Sequence, residues 1–446
     1  MKIEINKISF VFTHQKLREF IYSQLSFSKK RVLHNKIADL LEKQLRNDST
    51  DSMLYSRLIY HYDNAGNRVG VLKYRIKNID GYLNLCHEVF PVIDYGNKTQ
   101  YQNLQLKSEF VNELNNISDL LLEVKKENKA DKGITTLEIH FKHILGRYYI
   151  MKGDYDNGLS NINEMIEKAL ELKDYDSALK GYMKLIYYCV NTRNNKMMSE
   201  NIRKAFKITR AHGEKGQTGI LLRFKGLQKI MEGKYSDGER LLKDSINIFK
   251  SLTEKEKYIS NIAAAHNYIG DSRRYRREFD QAIKHYEKAI KICEEKGLIG
   301  GVTVVSTNAG QAAYDKGDFK KAKQYLERAI ELYQQFDLVW ARSKANGFYT
   351  MLLVREGKCD EAIKYLKKAE KFSEKVKNPY EKGLIYRVKA EIAKLIEEKN
   401  MKCKLSQYLK GDIGEYCNKG ILCLTAINES YEIEILKEIK NFRKNK

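Results

Sequence analysis

The stretch HNYIGDSRRYRREFDQAIKHYEKAIKIC at residues 266–293 and the stretch STNAGQAAYDKGDFKKAKQYLERAIELY at residues 306–333 carry one pattern, 40 residues apart. In each stretch a glycine is followed by an aromatic residue and then by small and apolar residues at helical spacing. These residues are Gly270, Phe279, Ala282, Tyr286 and Ala289 in the first copy and Gly310, Phe319, Ala322, Leu326 and Ala329 in the second. The spacing predicts two helices in each copy.

The pattern extends over six copies in three registers that agree with one another. The first register holds Gly146, Ile186, Gly226, Gly270, Gly310 and Thr350. The second holds Gly158, Met198, Gly238, Ala282, Ala322 and Ala362, and the third holds Gly153, Arg193, Gly233, Arg277, Gly317 and Gly357. One interval is four residues longer than the rest, which predicts an insertion in the charged connection 253–257. Self-similarity of this period is typical of a helical solenoid.

Packing explains the residue types in these registers. Two helices approach to roughly 8–10 Å where the residues at their crossing are small, so glycines such as Gly226, Gly270 and Gly310 are expected to face the small residues of the second register. The third register is expected to end the first helix of each pair, where glycine adopts a left-handed backbone at little cost. The Met198 copy has lost most of these residues and is degenerate.

The repeats resemble the tetratricopeptide repeat, lengthened from its usual period of about 34 residues. The resemblance implies an all-α, right-handed solenoid of six repeats over residues 134–398. Only two prolines, Pro91 and Pro379, occur in the 446 residues, as expected for an almost wholly helical chain. The segment 399–446 is expected to form C-terminal capping helices, a final pair over residues 421–442, and a basic tail, since solenoids need polar-faced ends.

The chain is strongly basic, with 81 lysines and arginines against 58 acidic residues and a formal charge of +23. The lysines are spread over every predicted helix, which is typical of solvated helix faces. A local exception is the basic patch of Arg273, Arg274, Arg276 and Arg277, at the end of one first helix. It is the sequence's best candidate for nucleic-acid contact, and such contact would be non-specific because no base-reading motif accompanies it.

The seven cysteines are scattered and never form a Cys-x-x-Cys motif. They are expected to be free, mostly buried thiols in a reducing compartment. No secretory signal pattern and no apolar run of roughly 18 residues is evident. The sequence therefore predicts a cytoplasmic protein without a membrane span.

The first 50 residues predict a short strand, Ile8–Phe12, and two helices with apolar stripes that include Leu17 and Ile21 in one and Leu33 and Ile37 in the other. The pattern Phe10-x-Phe12-x-His14, with Arg18-Glu19, Leu33-His34 and Leu41-Glu42, resembles the end of the winged-helix domain in signal-transduction ATPases of the STAND class. In that family the histidine after the strand lies near the nucleotide phosphates, and the resemblance assigns this place to His14.

The resemblance continues through Tyr60-His61-Tyr62, Ala65-Gly66-Asn67, the linker His87–Pro91 and Tyr431-Glu432-Ile433. The chain is similar to the C-terminal half of bacterial transcriptional activators of the antibiotic-regulator (SARP) type. This resemblance implies a winged-helix remnant at residues 1–50 and degenerate helical hairpins with a linker at residues 51–133. No phosphate-binding Gly-x-x-x-x-Gly-Lys-Ser/Thr loop occurs, so no cofactor is expected in this chain. The resemblance is therefore to a truncated or a split member, and in the split case the ATPase and DNA-binding half would be a separately encoded partner.

No catalytic or metal-binding pattern is found. His140 and His143 share a helix face, but neither a third ligand nor the glutamate of a His-Glu-x-x-His motif accompanies them. First helices line the concave surface of such solenoids, where extended partners bind. Side chains that suit a peptide backbone or a carboxylate predict a ligand groove formed by Arg147, Tyr187, Arg223, Asn267, Asp271 and Gln311.

The sequence therefore predicts a non-enzymatic sensor module of a transcriptional regulator, with a peptide or protein ligand in the groove. Two alternatives remain open. One is a stand-alone peptide-pheromone receptor or scaffold, which long repeats of this kind also resemble. The other is a non-specific nucleic-acid binder, whose affinity would fall steeply with salt.

Overall fold

The structure, a computed structural model, describes residues 3–4, 7–8, 15–46, 51–84, 108–127, 131–335, 341–376, 378–401 and 404–441. It contains a two-stranded antiparallel sheet, β1 (Ile3–Glu4) and β2 (Lys7–Ile8), with Ile3 opposite Ile8. The described residues otherwise form helices and their connections, so the predicted all-α class is confirmed. Residues 9–12 of the predicted strand lie outside the described residues.

The helices are α1 (Gln15–Ser23), α2 (Phe27–Glu42), α3 (Ser52–Ala65), α4 (Arg68–Asn84), α5 (Ser108–Glu127), α6 (Lys132–Lys152), α7 (Tyr155–Glu171), α8 (Tyr175–Thr192), α9 (Asn195–His212), α10 (Lys215–Met231) and α11 (Tyr235–Ser251). They continue with α12 (Ile259–Tyr275), α13 (Phe279–Glu295), α14 (Ile299–Lys316), α15 (Phe319–Leu332), α16 (Arg342–Arg355), α17 (Cys359–Val376), α18 (Pro379–Glu398), α19 (Lys404–Tyr408), α20 (Ile413–Thr425) and α21 (Ser430–Asn441). No helix among these is long and apolar enough to cross a membrane.

The chain divides into two compact units, of which the first comprises residues 1–84 and 106–144. Its core joins α2, α3 and α4 through residues that include Ala38, Leu58 and Tyr74. The Tyr74 hydroxyl donates to Glu42 Oε1 at 2.5 Å. Helix α2 buries His34, Ala38 and Leu41.

The apolar stripes predicted for the first two helices are buried only in part. Leu17 and Ile21 of α1 and Leu33 and Ile37 of α2 are exposed, whereas Leu41, which belongs to the second predicted stripe, is buried. The buried face of α2 also carries His34, whose Nδ1 atom lies 2.9 Å from Nδ1 of His61 in α3. On this face a polar contact between helices accompanies the apolar contacts of Ala38 and Leu41.

The second unit comprises residues 85–105 and 145–446 and contains the predicted repeats. Within it, first and second helices pack in pairs, α8 with α9, α10 with α11, α12 with α13, α14 with α15 and α16 with α17. The four inserted residues form a short 3-10 helix, Lys255–Tyr258, whose Tyr258 ring stacks on Phe249. The described cysteines are free, and four of these five are buried.

Small residues mark the helix crossings, with one correction. A Cβ added to Gly226 would lie 2.9 Å from the Gly238 carbonyl oxygen, so these two positions face each other as predicted. At Gly270 and Gly310 the facing group is larger: an added Cβ would lie 2.5 Å from the Tyr286 ring or 2.6 Å from Leu326. There the missing side chain makes room for a large residue one turn beyond the alanine of the second register.

The third register ends the first helix of each pair. Gly153, Gly233, Gly317 and Gly357 have φ between 76° and 88°, and Arg193 and Arg277 adopt the same left-handed backbone, at 57° and 61°. Two arginines thus occupy positions that favour glycine.

The C-terminal part adds a further pair, and the last two helices, α20 and α21, pack on each other within the segment predicted to cap the solenoid. Helix α18 packs against α20 after a connection that contains α19, and α21 packs on both helices. The crossing residue is Gly383, where an added Cβ would lie 2.5 Å from Leu424. Because this connection is longer than in the other pairs, the 40-residue spacing no longer predicts the second helix.

Candidate functional site

First helices of six pairs converge on one cavity of about 70 Å3. Every lining residue belongs to α8, α10, α12, α14, α16 or α18 or caps one of them, and none belongs to a second helix. We call this surface of the first helices the inner face. One water molecule needs roughly 10–15 Å3, so the cavity has room for several waters or for one residue of a larger ligand.

Asparagine side chains form the polar centre of the cavity wall. Asn308 Nδ2 donates to Asn267 Oδ1 at 2.8 Å, and both residues line the cavity with Asn378. Lys344 Nζ donates to Asn308 Oδ1 at 2.5 Å. Burial, and then the charge of Arg274, lower the pKa of Lys344 to about 8, so the ammonium stays mostly charged at neutral pH.

Two carboxylates line the same cavity. Asp271 Oδ1 accepts a hydrogen bond from the Tyr286 hydroxyl at 2.7 Å. Glu381 accepts one from the Ser343 hydroxyl, and burial raises its pKa. The wall therefore offers amides, a cation and carboxylates within one small space.

Arg223 lies beside the cavity and is 1% exposed. Its guanidinium stacks on the Phe224 ring at 4.0 Å, and Nη1 donates to the Tyr268 hydroxyl at 3.4 Å. Tyr268 lines the cavity, and so does Leu227, which lies one turn after Arg223 on α10. Nε and Nη2 of Arg223 have no hydrogen-bond partner among the described residues.

Helix α21 closes part of the inner face with a carboxylate. Glu432 is fully buried and accepts from Arg274 Nη1 at 3.1 Å, from Arg387 Nη1 at 2.6 Å and from Gln311 Nε2 at 2.8 Å. Asp315 completes the cluster by bonding Arg387 and the Tyr431 hydroxyl. Burial alone would raise the pKa of Glu432, but Arg387 and Arg274 outweigh it and hold the pKa below its usual range.

A second set of contacts joins the end of α8 to the last pair. The Arg193 guanidinium lies 4.5 Å from the Tyr380 ring centre and 3.7 Å from Glu429 Oε2. Asn378 Nδ2 donates to the Asn191 carbonyl, across 187 residues of chain. Burial raises the pKa of Glu429 to about 7, although Arg193 opposes this. The second unit is thus closed on itself, unlike an open solenoid in which each repeat contacts only its neighbours.

The predicted groove residues are brought together only in part. Asn267 and Asp271 line the cavity, and Arg223 lies beside it. Gln311 is fully buried and is bonded to Glu432, because α21 covers its part of the inner face. Arg147 and Tyr187 do not line the cavity; Arg147 is buried in α6, and the Tyr187 ring packs on Phe224 at 4.9 Å.

The predicted basic patch is not an exposed cationic surface. Arg274 is 2% exposed and faces the interior, and Arg273 and Arg276 both pair with Glu239 and Glu278. Arg277 is exposed but lies 2.5 Å from Glu438. The sequence does not show this neutralisation, because Glu239 and Glu438 come from other helices and only Glu278 adjoins the arginines.

His14 lies outside the described residues, so its assigned role stays a prediction. Among the described residues no group of three or more potential ligands could hold a metal ion. Glu138, which the sequence places near His140 and His143, instead pairs with Lys125 at 2.9 Å.

Several inner-face residues escaped the sequence analysis. Asn308 adjoins Thr307, the residue that the repeat spacing aligns with Asn267, so a shift of one position along α14 hid it. Arg193 could have been found, since an arginine in a glycine register is itself a signal. Glu429 gave no signal and Glu432 appeared only within the family resemblance, because only the closure of the second unit brings them to α8 and α12.

The comparisons with known proteins support the solenoid fold. A model of the tetratricopeptide repeat matches residues 261–335, and curated protein sequences give no match. The apo form of RapI is similar in structure, with a TM-score of 0.53 and 15% identity over 91% of this chain and 99% of that one. The Rap conjugation gene regulator of plasmid pLS20, in complex with the Phr* peptide, gives a TM-score of 0.50 at 13% identity. That match covers 82% of this chain and 97% of the other.

A signal-transduction ATPase with numerous domains from Pyrococcus horikoshii, which has a tetratricopeptide repeat sensor, gives a TM-score of 0.54 at 12% identity. The match covers 95% of this chain but 57% of that protein. At such identities the likeness concerns the fold alone: the chain is a tetratricopeptide-type helical solenoid. The resemblance to SARP-type activators and the winged-helix remnant stay predictions.

Proposed function

We propose that this chain is a non-enzymatic sensor module of a transcriptional regulator, and that it binds a peptide or protein segment on the inner face. The observation that carries the proposal is the cavity, where six first helices place amides, a lysine and carboxylates around a space for one residue. Asparagine both donates and accepts, so it pairs with a peptide backbone in either direction. A ligand would place one residue or one chain end in the cavity.

The closing contacts offer a route from binding to response. A ligand shifts a conformational equilibrium only as far as it prefers one arrangement. Glu381 of the cavity lies on α18, beside Tyr380, which Arg193 contacts. Lys344 lies on the neighbouring helix α16, and Arg193 also contacts Glu429. Binding there would change how firmly the last pair is held against α8.

The regulator role rests on the resemblance of the first 90 residues to ATPase-linked activators and on the fold shared with the Pyrococcus horikoshii protein. An ATPase and DNA-binding half would be the partner. Co-purification of the tagged chain from its native lysate at low and high salt tests this. Recovery of a P-loop ATPase at both salts supports the regulator, and recovery of nucleic acid alone at low salt contradicts it.

A stand-alone peptide receptor is the second candidate. The observation in its favour is the similarity to the Rap regulator of plasmid pLS20, which carries a peptide in its structure. The nucleic-acid alternative loses support at the residue level, because all four arginines proposed for it pair with carboxylates within the second unit and only one of the four, Arg277, is exposed.

Peptide retention tests the shared part of both candidates. The immobilised full chain is offered a random heptapeptide pool, and retained peptides are identified by mass. Replacing Asn267 and Asn308 together by alanine should lower retention about tenfold or more, because two hydrogen-bonding positions are lost. The control replaces Asn157 and Asn161 by alanine; these lie on α7, a second helix outside the cavity.

If the full chain retains no peptide, or if the two double variants retain equally, the inner face is not the binding surface. Urea unfolding of each variant is measured alongside, so that loss of fold is not mistaken for loss of binding.

A further inference from the structure

A buried cation without a counter-ion lies next to the cavity. Arg223 is 1% exposed, yet two of its three guanidinium nitrogens have no hydrogen-bond partner among the described residues. Buried charges in proteins are normally paired and hydrogen-bonded. Arg274 and Arg387 of the same unit follow that rule, since each contacts Glu432 and Asp315. Among the described residues, Arg223 thus departs from that rule, because no carboxylate there pairs with its guanidinium.

The unpartnered atoms have a defined geometry. Nε and Nη2 lie on one edge of the planar guanidinium, and their N–H groups point the same way. This edge is the one that binds a carboxylate through two parallel hydrogen bonds. The opposite side of the group is already fixed, because Nη1 donates to Tyr268 and the plane stacks on Phe224. The arginine is held in place with its binding edge unused.

The cavity provides a second cation for the same class of ligand. Lys344 is 8% exposed, and the polar contact that holds its ammonium is an amide oxygen of Asn308, not a carboxylate. Two of the three hydrogens of an ammonium group remain for a ligand. The amide pair of Asn267 and Asn308 connects Lys344 to α12, where Tyr268 adjoins Arg223.

We propose that the inner face is a carboxylate site, in which the edge formed by Nε and Nη2 of Arg223 binds the carboxylate of an acidic peptide and Lys344 supplies further positive charge. The inference rests on the proposed function and names the ligand class. The carboxylate belongs to an aspartate or glutamate side chain or to the free C-terminus of the peptide, which present the same group.

Four heptapeptide pools separate these two sources. The pools contain or lack acidic residues, and each is made with a free or an amidated C-terminus. The full chain, R223Q, K344Q and R240Q are immobilised and compared. Arg240 is the matched control, because it belongs to the same helix pair but is 66% exposed on α11.

The full chain and R240Q should enrich carboxylate-bearing peptides about tenfold over the pool without any carboxylate. Only peptides with a carboxylate can form the charge-assisted bidentate pair with the arginine. R223Q should lose this preference, and K344Q should reduce it. Preference for the acidic amidated pool assigns a side chain, and preference for the non-acidic free-acid pool assigns the C-terminus. Equal retention of all four pools, or an unchanged preference in R223Q, overturns the proposal while leaving peptide binding intact.

A second arm does not depend on peptides. Urea unfolding midpoints are measured in sodium acetate and in sodium chloride of equal ionic strength. A ligand that binds the folded state alone raises stability with its concentration, so acetate should raise the midpoint of the full chain and R240Q more than that of R223Q. The same acetate effect in all three proteins overturns the proposal even if no peptide is retained.

Urea unfolding of R223Q in chloride is measured alongside, because the variant also loses the contacts of Arg223 with Tyr268 and Phe224. The comparison of acetate with chloride is made within each protein, so that a change in basal stability is not mistaken for a change in carboxylate binding.

Discussion

At the scale of single residues, two partly buried histidine pairs join neighbouring helices. In the second unit, His266 of α12 and His285 of α13 approach with Nδ1 atoms 3.2 Å apart. Burial, followed by nearby positive charges, lowers the pKa of each to about 4. The charged groups that act on this pair are Lys243, Lys250, Lys288, Arg273 and Glu239. Both rings are therefore neutral at pH 7 and resist protonation in the folded state.

This pair predicts a loss of stability in mild acid. Between about pH 4 and 6.5 the unfolded chain binds more protons at these two sites than the folded chain, so the free energy of unfolding falls as the pH drops through that window. The urea midpoint should fall more between pH 7 and pH 5 in the native chain than in the variant with both histidines replaced by glutamine. The His285→Gln single variant should lie between them; an unchanged pH dependence in the double variant would contradict the prediction.

Two arginines in the glycine register predict opposite responses to the same substitution. Left-handed backbone costs a residue with a side chain about 1–2 kcal/mol. Arg277→Gly relieves this cost and loses only an exposed ion pair with Glu438, worth about 0–1 kcal/mol, so stability should stay equal or rise. Arg193→Gly also loses the contacts with Tyr380 and Glu429, and its urea midpoint should fall below that of Arg277→Gly. The reverse order would show that Arg193 does not hold the closure.

At the scale of helices, the crossing glycines set the spacing of each pair. A Cβ at Gly226 would meet backbone, the Gly238 carbonyl oxygen at 2.9 Å, and Leu242 at 2.8 Å. The backbone atom cannot rotate away, so Gly226→Ala should destabilise by about 1–3 kcal/mol. The helical control is Gly81 of α4, which has nothing within 4 Å; Gly81→Ala should stabilise by about 0.5–1 kcal/mol. Calorimetric midpoints that shift in the same direction would refute this contrast.

The helix pairs are also the level at which sequence reasoning succeeds. The registers of small residues predict which helices pair, because a short crossing distance allows only small residues. The third register predicts where the first helix ends, because a left-handed backbone favours glycine. The same reasoning fails at Ile413–Thr425, where a longer connection interrupts the spacing. It is only partly right at α2, where apolar periodicity favours Leu33 and Ile37 but these are exposed, and where the buried face carries His34 in contact with His61.

At the scale of the second unit, the closure predicts the largest single effect on stability. Glu432→Gln would leave Arg274 and Arg387 with Asp315 as their one remaining buried anion. Breaking a buried ion pair in this way costs about 3–5 kcal/mol, so the urea midpoint should fall sharply. The control on the same helix is Glu438→Gln, which removes the exposed pair with Arg277 and should cost less than about 1 kcal/mol. Similar losses in both variants would mean that the buried cluster does not hold α21.

The candidate site illustrates what sequence can and cannot provide at this scale. Asn267, Asp271 and Arg223 were predicted because the inner face of a first helix follows from periodicity alone. The role of Gln311 was missed since its partner Glu432 is 121 residues away. Likewise, the Arg273–Arg277 run suggested a nucleic-acid surface because the sequence does not show which carboxylates fold against it.

The closing contacts also set an order of events during synthesis. Arg274 leaves the ribosome 158 residues before Glu432, its buried partner, and elongation at about 5–20 residues per second makes this a delay of roughly 8–30 s. For that time the nascent helices can pair locally, but their central arginines remain solvated and their interior stays open to chaperones. The final step of maturation is then the arrival of the last helix, so that translation itself times when the interior closes.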